Sequence, residues 1–440
     1  MRLKKLIVSI VALTGALVLT VFFVVAVIAY NNMLFGHLYY AKGLAVYIVV
    51  YLGLLLAVSK LYGGFEVGTF RLFEVAFSCV LSIAFVNIIT YLQISLIAKG
   101  FLDPDYMIVL SLAQFLFAII WTIASDRIYR YLFHSSHMLL IYGRDYPREL
   151  IEKLKENDLK YHLNKTMNET AFDNIGLQLD SEDFQDILIY QVTSEFGAVI
   201  KEYCFEKNIR LYIVPEIADI LINHADRVAL SDSVILLCRN DPMTIAQEAA
   251  KRLMDMAFSA IMLLVLLPFM AIAALAIRLG DGGPVFYKQT RLTRNGKRFV
   301  MYKFRSMIND AEPDGQAKLA KKQDDRITGV GRVIRKIRFD EIPQFFNVLK
   351  GDMSVVGPRP ERPEIARQYE EEMPEFSYRL KMKAGITGYA QVYGRYDTTP
   401  KDKLTLDIIY VNSYSLLLDI RLILMTIKIL FLPGKTEGVQ

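Results

Sequence analysis

Between Arg338 and Pro360 the chain reads RFDEIPQFFNVLKGDMSVVGPRP, and three kinds of side chain in that stretch suit work on phosphate. Asp340 and Glu341 are adjacent carboxylates, which repel each other unless a cation or a proton is shared. Mg2+ takes oxygen ligands and commonly binds through one or two carboxylates plus substrate phosphates. Asp340 and Glu341 are therefore a candidate metal pair, and one of them could attack a phosphorus. DEIPQFFNVL predicts a helix that starts with Asp340 as its N-cap and carries Pro343 in its first turn. The free N–H groups and dipole of such a start favour negative charge. Taken alone, an Asp-Glu pair at a helix start is far more often just a cap. Arg359 stands between Pro358 and Pro360, whose rings fix φ and limit the freedom of the loop. A preordered guanidinium there is a two-point phosphate clamp. YKFRSM places Lys303 and Arg305 two apart, on one face of an extended strand. RVIRKIRFDE adds Arg332, Arg335, Lys336 and Arg338. Arg338, next to the carboxylates, joins Lys303 and Arg305 as a candidate phosphate contact, and the others read chiefly as a basic face toward anionic headgroups.

The elements that must position these residues belong to a membrane protein. The 440-residue chain is 53% hydrophobic with a mean hydropathy of +0.30, too apolar for an ordinary soluble protein. Cys79, Cys204 and Cys238 form no CxxC pair, which argues against a disulfide scaffold or structural zinc and fits a reducing compartment. His134 and His137 lack a metal-site context and read as surface residues. No Walker, GxSxG or HExxH motif is present, and nucleic acid is not an expected partner. Uncharged apolar runs at Leu6 to Tyr30, Leu44 to Ser59, Val75 to Ile97 and Tyr106 to Ser125 predict four spans, a transmembrane domain over residues 1–130. The first lacks a small-x-small exit and reads as an uncleaved span. Lys60, Arg71, Arg127 and Arg130 place both ends of this unit in the cytoplasm. The one D-x-D, Asp103-Pro-Asp105, falls in a loop expected on the outer side.

Residues 131–240 read as a small parallel α/β domain. MLLIYG, DILIY, RLYIV and SVILLC are strand-like, and PRELIEKLKEN and SEFGAVIKEYCFEKN between them are helix-like. Only Gly143 stands where a dinucleotide site would carry GxGxxG, so dinucleotide binding is not expected. Asn164 and Asn168 lie in N-x-T sequons that a cytoplasmic location makes irrelevant. Residues 241–440 open with the apolar run Met256 to Ile277. Lys251 and Arg252 precede it, and Arg278, Lys288 and Arg291 follow it. Basic residues on both sides predict that both ends share the cytoplasmic face. Pro268 near its centre predicts a bend, hence a re-entrant helix over about 252–278; a fifth span with a proline kink is the simpler alternative. Ser415 to Leu432 is helical in period, either at the interface with its cations snorkelling or packed in a core.

From about Thr244 to Gln440 the chain resembles the bacterial sugar transferase family. The matching residues are GGPVFYKQTRLTRNGKRFVMYKFRSM, the segment from DDRITGVGRVIRKIRFDE to VVGPRPERPE, KAGITGYAQVYGR, and YVNSYSLLLDIRLILMTIKIL. The resemblance implies a monotopic phosphoglycosyl transferase. Such an enzyme moves a sugar-1-phosphate from a UDP-sugar to undecaprenyl phosphate, releases UMP, and starts exopolysaccharide, capsule or O-antigen synthesis. Four spans and a degenerate α/β domain resemble its long form, the undecaprenyl-phosphate glucose or galactose phosphotransferases. The implied architecture is a membrane α-helical N-terminal bundle, a small parallel α/β Rossmann-like middle domain, and a mixed α+β monotopic catalytic domain with the re-entrant membrane helix. By position, Asp340 resembles the nucleophile that carries a covalent phosphosugar, Glu341 the second carboxylate, and Arg359 the arginine of the Pro-Arg-Pro phosphate loop, with Mg2+ the cofactor. Pro268 corresponds to the membrane break, where relatives often carry Ser-Pro and this chain has Leu267-Pro268. Tyr389-Ala390 stands where many relatives have an apolar-Trp pair. The implied location is the bacterial inner membrane with the catalytic domain facing the cytoplasm. A homodimer and downstream glycosyltransferases are the partners left open. A membrane glycosyltransferase releasing UDP and a non-catalytic assembly scaffold are the competing readings, and the sugar is not legible.

Overall fold

The computed structural model describes residues 2–34, 41–68, 70–133, 136–156, 161–172, 179, 184–223, 225–238, 240–308, 324–394 and 398–431. The chain divides into two compact units, Met1–Glu216 and Ile217–Gln440.

In the first unit the apolar runs become four long helices: α1 (Arg2–Leu34), α2 (Ala41–Tyr62), α3 (Leu72–Ile97) and α4 (Asp105–Leu132). Each is long and apolar enough to cross a membrane. Polar side chains in such helices turn inward and bond to one another, because lipid offers them no partner. Tyr51 donates to Asn87 Oδ1 (3.0 Å), Asn87 Nδ2 to Gln114 Oε1 (2.8 Å), and Gln114 Nε2 to the Leu19 carbonyl (2.9 Å). The network ties all four helices together at buried positions.

The same unit contains a four-stranded parallel sheet of order β2-β1-β3-β4, built from β1 (Ser136–Tyr142), β2 (Tyr161–Asn168), β3 (Asp186–Tyr190) and β4 (Arg210–Ile213). Helices α5 (Arg148–Glu156) and α6 (Ser194–Glu206) alternate with the strands. The central strands β1 and β3 carry the continuous apolar runs of a sheet buried on both faces. Strand β2, YHLNKTMN, is polar and lies at the sheet edge, so the apolar-run criterion passes over it. Gly143 sits where a Cβ would collide with the Gln191 carbonyl. The start of α6 is filled from within: the Glu169 carboxylate accepts from the Thr193 N–H at 2.8 Å, where a helix start would otherwise favour a bound anion. His134 and His224 lie outside the described residues, and His137 meets Asn164 at 2.6 Å.

The second unit begins with α7 (Ile217–Asn223) and an antiparallel hairpin, β5 (Asp226–Leu230) with β6 (Ser233–Leu237). The run SVILLC is thus half of an exposed hairpin in this unit rather than a strand of the parallel sheet. Composition marked the strand correctly, but a two-residue Ser231-Asp232 link pairs it with its immediate predecessor. Helix α8 (Ile245–Asp281) opens on a capping box between Thr244 and Gln247. It continues as one helix through Pro268. One face, including Leu263, Met270, Ala273 and Ile277, enters the core of the unit. The other face, including Leu264, Ile272, Leu275 and Leu279, is exposed and apolar.

A hairpin of β7 (Phe286–Leu292) and β8 (Arg298–Phe304), helices α9 (Gly329–Lys336) and α10 (Gln344–Lys350), and strand β9 (Ser354–Val356) follow. Then come α11 (Pro363–Glu372), β10 (Gly385–Thr387) parallel to β9, α12 (Tyr389–Tyr393), α13 (Pro400–Asn412) and α14 (Leu416–Leu430). In α14 the polar residues turn into the protein. Asp419 and Lys428 are buried, and Thr426 bonds to Thr387 at 2.5 Å. The exposed side carries Leu417, Ile420, Ile427 and Phe431. Lys428 therefore does not snorkel outward, and the face left for a headgroup region is apolar.

Candidate active site

The carboxylate pair sits in a short 3-10 turn, Phe339–Glu341, between α9 and α10. The expected single helix from Asp340 does not form. Helix α10 starts at Gln344 with Pro343 in the cap position, and Asp340 caps nothing. The reason lies one residue earlier: Arg338 takes a left-handed conformation, φ 57° and ψ 20°. That reverses the chain at the end of α9 and leaves room for only one tight turn before α10. Left-handed backbone is strained for a residue with a Cβ. Its effect here is to present Asp340 and Glu341 toward β8 and the Pro358–Pro360 loop.

Glu341 is the neutralised member of the pair. Its Oε1 accepts from Lys303 Nζ at 2.8 Å and from Arg359 Nη2 at 3.3 Å, and its Oε2 lies 4.0 Å from Arg338 Nη1. Burial alone would raise its carboxyl pKa, but Lys303, then Arg359 and Arg338, hold it well below the usual carboxylate range. Asp340 behaves oppositely. Burial, and then the Glu341 charge, raise its pKa, against the pull of Lys303, Arg335 and Arg338. Among the described residues no side chain or backbone group hydrogen-bonds the Asp340 carboxylate. Two neighbouring acids with divergent environments take different roles: one is held as a permanent anion by cations, the other is open and more basic. Burial lowers the Lys303 pKa, and Glu341 partly restores it.

The Pro358–Pro360 loop is fixed by its backbone. Gly357 N donates to the Thr387 carbonyl (2.8 Å), Pro358 O accepts from Gly385 N (2.9 Å), and Pro360 O accepts from Arg291 Nη1 (3.1 Å). Arg359 is therefore presented by a loop clamped on both sides, and its charge is reinforced first by Glu341. The structure brings together Asp340, Glu341, Lys303, Arg338 and Arg359. Arg305 follows the end of β8, is buried, and packs its guanidinium on Gly283, where a Cβ would displace it. β8 ends at Phe304, so Arg305 lies one residue past the strand that carries Lys303. Pro268 lies inside α8, and Tyr389 packs against the core and on Tyr393, ring centroids 4.5 Å apart.

The family model for bacterial sugar transferases matches residues 246–433, which contain every one of these side chains. A Bacillus subtilis (strain 168) protein named an uncharacterized sugar transferase, EpsL, is 37% identical over 190 residues, 43% of this chain and 90% of that protein. The chain belongs to the bacterial sugar transferase family. The UDP-N-acetylgalactosamine-undecaprenyl-phosphate N-acetylgalactosaminephosphotransferase of Aeromonas hydrophila is 42% identical over 181 residues, 40% of this chain and 43% of that protein. The UDP-glucose:undecaprenyl-phosphate glucose-1-phosphate transferase of Escherichia coli (strain K12) is 33% identical over 220 residues, 49% of this chain and 47% of that protein. The chain thus spans less than half the length of these two sugar transferases.

Several residues of this candidate site escape a reading of the sequence. Arg335, which reads as a headgroup contact, acts on Asp340. Arg291 braces the loop, and burial, then the Arg359 charge, lower its pKa to about 10. Glu361, Arg379, Lys403 and Asp407 form a charged cluster behind the loop. Nothing in their local spacing announces it, because its members come from three separate segments.

Proposed function

We propose that this chain transfers a sugar-1-phosphate from a UDP-sugar to undecaprenyl phosphate at the cytoplasmic face of the inner membrane and releases UMP. The observation that carries the reading is the divided dyad: a cation-locked Glu341 beside an Asp340 whose carboxylate accepts no hydrogen bond among the described residues. In the first step an Asp340 carboxylate oxygen attacks the phosphorus bonded to the sugar. The bond from that phosphorus to the bridging oxygen breaks, and UMP leaves with the electron pair. In the second step a phosphate oxygen of undecaprenyl phosphate attacks the same phosphorus, the bond to Asp340 breaks, and the carboxylate is restored. A covalent intermediate divides one transfer between a soluble donor and a lipid acceptor into two substitutions at one phosphorus. Arg359 and Lys303 hold the phosphoryl oxygens, and Arg338 and Arg335 stand beside them.

The donor set suits Mg2+. It offers oxygen ligands only, and among the described residues there is no cluster of three His, Cys, Asp or Glu to enclose a metal, so substrate phosphate and water would complete the shell. Asp340 and Glu341 would hold the ion, which would offset charge on the phosphoryl oxygens.

The re-entrant placement of α8 is part of this proposal. A helix of 37 residues laid straight is about 55 Å long. Near its start Lys251 donates to the Val356 carbonyl (3.0 Å) and pairs with Asp419 (2.6 Å). Near its end Gly280 faces Val330 of α9. Both ends thus meet the same folded unit, and the helix keeps one face in that unit's core, which favours entry and exit on one side. Product analysis tests the function. Purified protein with UDP-sugars and undecaprenyl phosphate is expected to release UMP. Release of UDP would assign a glycosyltransferase instead, and no nucleotide product with any donor would favour a scaffold.

A further inference from the structure

A buried charged cluster lies behind the Pro358–Pro360 loop. Arg379 is 2% exposed and Asp407 1%, and Arg379 Nη2 meets Asp407 Oδ2 at 2.6 Å. Arg379 Nη1 lies 3.6 Å from Glu361 Oε1, which also pairs with Lys403. The Phe376 ring covers the guanidinium at 4.9 Å. A buried ion cluster is weak evidence for stability, because well-packed apolar residues of the same volume often do as well. One contact here lies beyond the reach of apolar packing: Arg379 Nη2 donates to the backbone carbonyl of Arg359 at 2.9 Å. The same guanidinium reaches Glu361, two residues further along, whose own carbonyl accepts from Leu292 N at 3.0 Å. The cluster therefore grips the backbone of the loop at its central residue and holds the side chain just past its second proline, whose own backbone is fixed by β7.

We propose that Arg379, held by Asp407, Glu361 and Lys403, is the positioning residue that sets the aim of Arg359. Arg379 is sealed from substrate and touches no reacting atom. It acts by fixing the carbonyl, and so the peptide plane, of the residue whose side chain holds phosphate. The prolines fix their own φ, and Pro360 biases Arg359 toward extended backbone, but φ of Arg359 and the width of that extended range still let the peptide plane turn. The Arg379 hydrogen bond removes this freedom. The inference rests on the proposed role of Arg359 in phosphoryl transfer.

The test is a double-mutant cycle with Arg379→Lys and Arg359→Lys in nanodisc-embedded enzyme. Lysine at 379 keeps the charge that Asp407 needs but cannot grip carboxylate and carbonyl together. In the wild-type background Arg379→Lys should lower UMP release by about tenfold to a hundredfold, the scale of a misplaced contact. In the Arg359→Lys background the same change should cost less than about twofold, because the residue it works through is gone. Equal losses in the two backgrounds would overturn the proposal and leave Arg379 a structural residue. Hydrogen exchange of the substrate-free protein gives a readout that needs no activity. Arg379→Lys should speed exchange in the peptide covering residues 357–362 and leave that covering residues 298–304 unchanged. Unchanged exchange in the loop peptide would also overturn it. If wild type releases no UMP, the functional reading falls and loop exchange still decides the positioning role. If Arg379→Lys fails to fold, Glu361→Gln, which loosens the same grip at similar size, goes through both measurements with the same expectations.

Discussion

Replacing Lys303 by methionine should move the acid limb of activity upward. Lys303 is half-buried against the dyad, bonds Glu341 at 2.8 Å, and is the strongest of the cations that hold the Asp340 pKa down. A unit charge in a partly buried site with an effective dielectric of about 20 is worth about 4 kcal/mol at contact range and about half that at twice the distance. Asp340 is one residue beyond the contact, so the smaller value applies. About 2 kcal/mol corresponds to about 1.5 pH units. The sign follows from the chemistry. In the proposed mechanism Asp340 attacks as a carboxylate, so the rate is expected to climb as pH rises through its pKa. That pKa is already raised by burial and by Glu341, and losing Lys303 raises it further. Arg359 and Arg338 remain to keep Glu341 ionised, so its repulsion of Asp340 persists in the variant. The assay is kcat/KM for UMP release between about pH 4.5 and 9 in nanodiscs, with the limb read as the apparent pKa of the free enzyme. Glu341→Gln supplies the opposite sign, because it removes a raising charge and frees cations toward Asp340. An unmoved or lowered limb in Lys303→Met would refute the electrostatic account of the dyad.

Arg338→Gly should be more stable than Arg338→Ala by about 1 kcal/mol, since only glycine takes the left-handed conformation without strain. In thermal unfolding that appears as about 2–4 °C for a unit of this size, and equal melting would mean the turn carries no strain. Single cysteines at Ile245 and Lys288, in a background free of Cys79, Cys204 and Cys238, should be labelled from the same side of sealed vesicles. Both positions are exposed, and labelling from opposite sides would make α8 a fifth span. Pro268→Ala should shift that pattern toward opposite sides by favouring a straight helix.

How much of this was legible in the sequence depends on the range over which each feature is determined. The four N-terminal helices follow from uncharged runs long enough to span lipid, and no tertiary contact is needed to see them. The Asp340-Glu341 pair and the proline-flanked Arg359 are legible because their elements are contiguous. Strand β2 is hidden by its polar composition at a sheet edge, and the hairpin run SVILLC was read into the wrong sheet because composition does not name a strand's partner. The local rule for Asp340 as a cap fails because the chain reverses at Arg338, and a left-handed arginine has no sequence signature. The burial of Asp419 and Lys428 selects the packed-core alternative for this side of α14, which the periodicity left open because Asp419 pairs with a lysine 168 residues away. Arg379, Glu361, Lys403 and Asp407 are likewise joined by distances along the chain that no spacing rule covers. For Lys303 and Arg305 the strand periodicity holds through Phe304 and extends one residue past the strand's end.

The covalent intermediate tests the central claim most directly. Enzyme in nanodiscs is incubated with a UDP-sugar labelled in the sugar, without lipid acceptor, then denatured and mapped by peptide mass spectrometry. The account predicts stoichiometric release of UMP and label on the peptide containing Asp340. Asp340→Asn should carry no label and turn over more slowly by on the order of a thousandfold or more, as when a covalent nucleophile is lost. Addition of undecaprenyl phosphate should then discharge the label from wild-type protein into lipid. Robust labelling of the Asp340→Asn protein, or UMP release by wild type only when lipid is present, would contradict an aspartyl intermediate at Asp340.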